Sequence, residues 1–405
     1  MGEISGNLVV AQSGGPTAVI NASLVGVIQE ALKHSEIFDI YGSLHGIEGI
    51  LYENLIDLKK EDPKIVEKIK RTPSSALGSC RHKLTPENYE RIIDVFKVHN
   101  IRYFFYIGGN DSMDTAHTVG KMTQDLGYEL TAIGIPKTID NDLDYTDHCP
   151  GYGSVARWIA TAVRDAGFDT EAIGVVDKVK VIEIMGRNAG WITAASVLGK
   201  ERETDAPHLI YLPERAVNID KLLSDVERWY KKLGYVVIAI CEGVKGEDGK
   251  PLKASAKSID LDSFGHLQMG GAAEFLCNVI SEKLKLKARF DKPGTIQRVS
   301  MALVSEVDLS EAYMVGQKAV EYAVNGIKDK MVSLVREGNG EGYVCKTGLV
   351  DLEKVANSEK LIPDEFINEE GNGVTEKFYE YALPLIGGAL LDYARFKVCP
   401  VQKKL

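Results

Sequence analysis

Asn7–Gln12 (NLVVAQ) is a short apolar run that stops at Ser13-Gly14-Gly15, after which Ile20, Leu24, Val27, Ile28 and Leu32 recur at helical spacing. This unit, an apolar strand ended by glycines and followed by a helix, constrains the chain most because it recurs. Ile101–Ile107 (IRYFFYI) ends in Gly108-Gly109, and Leu130–Ile135 (LTAIGI) ends at Pro136. Val179–Ile184, His208–Leu212 and Tyr235–Cys241 read as further strands. Between the last two, Ile219–Leu233 is amphipathic and closes at Gly234, a C-cap residue. Strands alternating with helices imply an α/β fold with mostly parallel sheets covered on both faces. At 405 residues the chain is long enough for two such units. Ligands of these folds bind beyond the carboxyl ends of strands, and the polar motifs of this chain lie there.

Composition narrows the partners. A formal charge of -10 leaves no broad electrostatic footprint for nucleic acid, so basic residues inside motifs carry the weight. The six cysteines are scattered without CxxC or metal-ligand spacing, as expected of reduced thiols in the cytoplasm. The start, MGEISGNLVVAQSGG, lacks the features of a signal peptide, and no apolar run reaches the roughly 18 residues of a membrane span. Glu337–Gly342 and Asn368–Gly373 read as exposed loops, and Glu376–Leu391 resumes an apolar periodicity that should pack back on the body.

Three stretches carry chemistry. Gln12–Asn21 joins a strand to a helix through two glycines, and free N–H groups at a helix start suit a phosphate. A simple strand-to-helix turn would look the same, and the stretch is neither a Walker A loop nor GxGxxG. Gly108-Gly109-Asn110-Asp111-Ser112 lets backbone approach a ligand and offers a carboxylate for metal or cations; an N-cap on the next helix is the plainer reading. Pro136-Lys137-Thr138-Ile139-Asp140-Asn141-Asp142 is the least ordinary. A carboxylate there could take a hydroxyl proton while Lys137 neutralises a phosphate, and the competing reading is a solvated turn.

In this order, GGPTxxxN, ALGSCR, GGNDS, PKTIDND, MGRNAGW and PGTIQR resemble the phosphofructokinase family, most closely its pyrophosphate-dependent branch, over about residues 7–320. The resemblance implies two Rossmann-like three-layer domains with mostly parallel sheets and an active site in the cleft between them. Residues 1–157 with about 300–365 would form the donor domain, and 158–299 with about 366–405 the fructose 6-phosphate domain. It also implies roles. Gly15 would belong to the donor loop, Arg81 would contact the donor, and Thr138, Ile139 and Asp140 would meet the sugar, Asp140 as the base. Met185, Gly186 and Arg187 would line the sugar site, with Arg187 on the transferring phosphoryl and Glu242 accepting sugar hydroxyls. Arg298 would grip the 6-phosphate, and Lys178 and Arg289 would reach a neighbouring subunit's site in a homodimer or homotetramer. Lys178 stands where arginine is usual, a point charge in place of a bidentate fork.

Two positions bear on the donor. ATP-using relatives typically carry glycine where this chain has Asp111 and Lys137. The carboxylate would repel the inner phosphate of ATP, and the ammonium would hold a donor that lacks a nucleoside. Mg²⁺ is expected to bridge phosphate oxygens. Asn110 departs from the usual aspartate at the metal position, which leaves Asp111 or Asp142 to supply charge. An ATP-dependent enzyme and a catalytically weak regulatory subunit are the competing readings. Val25 and Gln29 stand where regulated relatives carry effector-binding arginines, so no such effector site is expected.

Overall fold

The computed structural model describes residues 4–82, 84–253, 270–356 and 358–404. Its strands in chain order are β1 (Gly6–Gln12), β2 (Ile37–Ser43), β3 (Leu55–Asp57), β4 (Ile101–Gly108), β5 (Thr131–Pro136), β6 (Val179–Ile184), β7 (Leu209–Tyr211), β8 (Val236–Cys241), β9 (Ala288–Asp291), β10 (Lys330–Glu337) and β11 (Val344–Asp351). They form a seven-stranded sheet of order β11-β10-β5-β4-β1-β2-β3 and a four-stranded sheet of order β7-β8-β6-β9. The smaller sheet is parallel throughout, and the larger is parallel except where β3 and β11 join its edges. The α/β expectation is borne out.

Continuous apolar runs became central strands because both faces of a parallel sheet are covered. Leu8, Val9, Val10 and Ala11 of β1 have no exposure, their side chains divided between two core clusters on opposite faces. The chain leaves β1 for β2 on one side and returns as β4 on the other. The strand order therefore reverses at the carboxyl ends of β1 and β4, where such sheets open a crevice.

The expected helix after β1 spans Ile20–Ala31 and is covered by the helix Glu306–Val324; Val25 is buried, and Gln29 accepts a hydrogen bond from Tyr313. Glu337–Gly342 begins on the last residue of β10 and continues as a short turn. Asn368–Gly373 departs from its reading as an exposed loop. Asn372 is buried, its amide donates to Asp225, and its carbonyl accepts from Ile210 of β7. The loop thus covers part of an open sheet edge. The C-terminal periodicity packs back as expected: Phe378, Ala382, Leu385 and Ile386 share a core with Tyr152 and Trp191. The helical part ends at Ile386, where Gly387 and Gly388 take positive φ; Leu390 still packs against that core, and Leu391 is exposed.

Candidate active site

The carboxyl ends of β1, β4 and β5 converge on a cavity of about 150 Å³. Ser13, Gly14, Gly15, Arg81, Gly109, Asn110, Asp111, Ser112, Lys137, Thr138 and Asp140 line it, and Arg187 reaches it from the end of β6. Eight sequence-nominated residues, from Gly15 to Arg187, therefore meet in one place.

The turn after β1 is shaped by its neighbours. Ser13 N–H donates to Ile107 of β4, and the Ser79 hydroxyl donates to the Gly14 carbonyl. A Cβ on Gly15 would lie 2.9 Å from Nη1 of Arg298, so only a glycine admits the guanidinium at this distance. Ser13, Gly14 and Gly15 of this stretch line the cavity, while the helix start itself lies further on. Helix begins only at Ile20, and the Thr17 hydroxyl already accepts from the N–H groups of Val19 and Ile20. The stronger candidate for a helix start facing an anion is the helix Asn110–Asp125, whose first turn lines the cavity; its N-cap is Gly109, without a side-chain cap. Asn110 and Asp111 are thus free of the capping role that was the plainer reading.

The loop after β5 is not a solvated turn. Lys137, Thr138 and Asn141 are buried. Lys137 N–H continues the β4 ladder to the Gly108 carbonyl, while its ammonium donates to the Gly15 carbonyl at 3.0 Å. Burial, then Arg298, lowers that ammonium to about 8, with Asp140 and Asp142 pulling the other way. The Thr138 hydroxyl accepts from Asp140 N–H. Asn141 adopts positive φ and locks the loop, donating to the Tyr381 hydroxyl and accepting from Cys149 N–H. Burial, then Asp142 and Glu242, pushes the half-buried Asp140 carboxyl up to about 7 against the pull of Arg187 and Lys137. Asp142 is also raised by burial, opposed by the Thr138 hydroxyl and by Lys137 and Lys360.

A second side of the site forms at the ends of β6 and β8. Gly186 N–H faces Glu242 Oε1 at 3.4 Å, and Met185 N–H faces Gln297 Oε1 at 3.4 Å. A Cβ on Gly243 would sit 1.6 Å from the Arg187 carbonyl, so glycine there lets the Arg187 loop lie on the end of β8. Burial raises the Glu242 carboxyl, opposed first by Lys292. Lys292, paired with the buried Glu183 at 2.7 Å, and Gln297 were missed by sequence reasoning. Gln297 was legible inside the PGTIQR motif; Lys292 had no motif to mark it.

Three placements refine the expectations. Ile139 is buried in the core, so only its main chain faces the loop. Arg298 rests on Gly15 and beside Arg81, and its buried Nε has no hydrogen-bond partner. Lys178 and Arg289 lie at the opposite end of β6 from Met185, about 20 Å away at the usual rise of a strand. There Lys178 donates to the Gly174 carbonyl, and Arg289 pairs with Asp177 at 2.8 Å.

The cavity also offers hard oxygen donors for a divalent cation. Asn110 Oδ1 is buried without a hydrogen-bond partner in a wall that also carries Asp111, an arrangement that fits Mg²⁺.

Two sheets meet at a cavity lined by cations and a carboxylate, an arrangement suited to phosphoryl transfer. Residues 7–323 match the phosphofructokinase family, and the chain belongs to it. A pyrophosphate–fructose 6-phosphate 1-phosphotransferase from Halomonas elongata is 44% identical over 94% of this chain and 92% of its own. A sulfofructose kinase from Alkalicoccus urumqiensis is 33% identical over 89% of this chain and 91% of its own. The solved pyrophosphate-dependent phosphofructokinase from Marinobacter aquaeolei superposes with a TM-score of 0.86 at 39% identity, covering 99% of this chain and 98% of its own.

Proposed function

We propose that the protein transfers a phosphoryl group from pyrophosphate to the 1-hydroxyl of fructose 6-phosphate, giving fructose 1,6-bisphosphate and phosphate. The observation that carries this reading is the coexistence of buried Lys137 and half-buried Asp140 in one loop, a cation and a base on a shared cavity. With Asp140 titrating near 7, the carboxylate accepts the hydroxyl proton as the oxygen attacks, and falls back readily for the reverse reaction. Lys137, Arg81 and Arg187 neutralise the transferring group, since phosphoryl transfer asks the protein mainly for positioning and charge. Mg²⁺, bound through Asn110 and Asp111, would screen the charge between the donor's two phosphates.

Asp111 at the rim and Lys137 within favour pyrophosphate over ATP, as the sequence suggested. We assign the first sheet, including β10 and β11, to the donor and the second to the sugar, with Glu242 on sugar hydroxyls and Arg298 on the 6-phosphate. The second role requires Arg298 to turn from Gly15 toward the β6 end. Val175, Val176 and Phe290 are exposed apolar residues near Lys178 and Arg289, which supports a homo-oligomer in which that face meets a second copy. Free cysteines at all six positions fit the reducing cytoplasm.

The purified chain with Mg²⁺ should turn over pyrophosphate at least 100-fold faster than ATP with fructose 6-phosphate as acceptor. Equal rates with both donors would sink the donor assignment. The sulfonate-bearing analogue of the sugar, assayed in parallel, tests the acceptor: fructose 6-phosphate should be preferred.

A further inference from the structure

Residues 358–362 follow β11, beyond residue 323 where the family match ends, and cross both loops that carry the chemistry. On the acid-loop side, Lys360 N–H donates to the Asp142 carbonyl at 2.8 Å. The Lys360 ammonium donates to the carbonyls of Thr146 at 3.0 Å and Asp147 at 2.8 Å. On the Arg187-loop side, Asn188 Nδ2 lies 3.1 Å from both oxygens of Glu359, and Trp191 Nε1 donates to the Lys360 carbonyl at 3.0 Å. Glu214 closes the arrangement, one carboxylate oxygen accepting from Gly190 N–H at 2.9 Å and from Ile362 N–H at 3.1 Å. Ile362 is buried in the core shared by Tyr152 and Trp191, which anchors the segment.

We propose that this segment is a strap that fixes the distance between the acid loop and the Arg187 loop, with Lys360 the positioning residue for the first and Glu359 for the second. The inference rests on the phosphoryl-transfer reading of the site. In that reaction the base and the cation on the transferring group come from different sheets. Among the described residues no strand pairing links those sheets, so their relative placement comes from other contacts. Burial lowers the Lys360 ammonium, opposed by Cys149, Asp147, Asp142 and Asp144, which face it, with the Trp191 ring at 5.3 Å. Glu359 faces Asp142, Arg187 and Lys245. An ammonium beside Asp142 opposes protonation of the Asp140–Asp142 pair.

The test compares the full-length chain with Lys360→Met, Lys360→Arg and Glu359→Gln, measuring kcat, KM for both substrates, the pH profile and Tm. Lys360→Met should lower kcat at least 30-fold while KM for pyrophosphate changes less than threefold. The acid limb of its kcat profile should move to higher pH, a shift that loss of packing alone does not give. Lys360→Arg should recover at least a third of the lost activity, and Glu359→Gln should lower kcat three- to tenfold. Should Lys360→Met fail to fold, the Glu359→Gln result decides, an unchanged kcat overturning the proposal. Folded Lys360→Met with unaltered kcat and acid limb overturns it directly. A parent chain inactive with pyrophosphate and fructose 6-phosphate defeats the functional reading instead.

Discussion

The acid loop, residues 137–142, and the donor rim, Arg81 and Asp111, both sit beyond strand ends and line the same cavity, yet water treats them oppositely. Lys137 is 4% exposed, whereas Arg81 and Asp111 are exposed side chains. Burial moves the Lys137 ammonium down to about 8 and the Asp140 carboxyl up to about 7, bringing both within reach of neutral pH. Charges at the solvated rim are screened by water and salt, but they can still repel or attract a donor on contact. The contrast separates two tasks that one motif search would merge: the acid loop, with Lys137 and Asp140, sets the proton chemistry, and the exposed carboxylate of Asp111 acts on the choice of donor.

The sharpest way to break that division is Asp140→Asn, which removes the base while keeping the shape of the loop. It should lower kcat by about 10³–10⁴-fold with little change in KM. Retention of a tenth of the parent kcat would mean another group takes the proton. The parent enzyme should show a narrow bell: activity falls below about 7 as Asp140 gains a proton and above about 8 as Lys137 loses one. In Asp140→Asn the acid limb should disappear.

Next in size is the donor swap. Asp111→Gly combined with Lys137→Gly should lower kcat/KM for pyrophosphate by about 10²–10³-fold and raise ATP turnover above the parent's. Asp111→Gly alone, at saturating Mg²⁺, should keep kcat for pyrophosphate within about tenfold, because Asn110 still offers an oxygen to the cation and the rim carboxylate takes no proton. If the single change costs as much as the pair, the separation of tasks is wrong. Arg298→Met sharpens the boundary between the two sides. A charge-assisted hydrogen bond is worth about 1.5–3 kcal/mol, so KM for one anion should rise about 10–100-fold. A rise for fructose 6-phosphate supports the sugar-phosphate role, and a rise for pyrophosphate assigns Arg298 to the donor loop on which it rests.

The buried strands were legible because a parallel sheet demands continuous apolar runs, and β1, β4, β5, β6, β7 and β8 all appeared as such. Strands β9 and β11 carry no comparable run. In β9 the large apolar residue is Phe290, which is exposed, and the strand is held by its backbone pairing to β6. Within the site, the compact motifs that bear Lys137, Asp140 and Arg187 were readable, and the structure gathers them. What the sequence could not show was distance. Gln12–Asn21 read equally as a phosphate loop or a plain turn, and only the structure shows that Thr17 takes the N–H groups of Val19 and Ile20 while Gly14 and Gly15 line the cavity. Lys360 lies 220 positions from Asp140 in an unpatterned stretch, SEKLIP, and only tertiary hydrogen bonds bring it to the acid loop.

The smallest expected effect concerns stability, and it follows from the same burial. Asp140 has a folded pKa near 7 against the usual 3.8, so the unfolded chain binds fewer protons between those values. Folding therefore loses stability as pH rises through that window, and the loss is complete above about 7. Asp140→Asn removes the cost of holding a carboxylate among Asp142 and Glu242. The variant should be more stable than the parent at pH 8 by on the order of 1–2 kcal/mol, and the two should converge below about pH 4. Denaturant titrations at both pH values check the sign. A variant that is less stable at pH 8 would mean that Arg187 and Lys137 stabilise the Asp140 anion by more than burial and its acidic neighbours destabilise it.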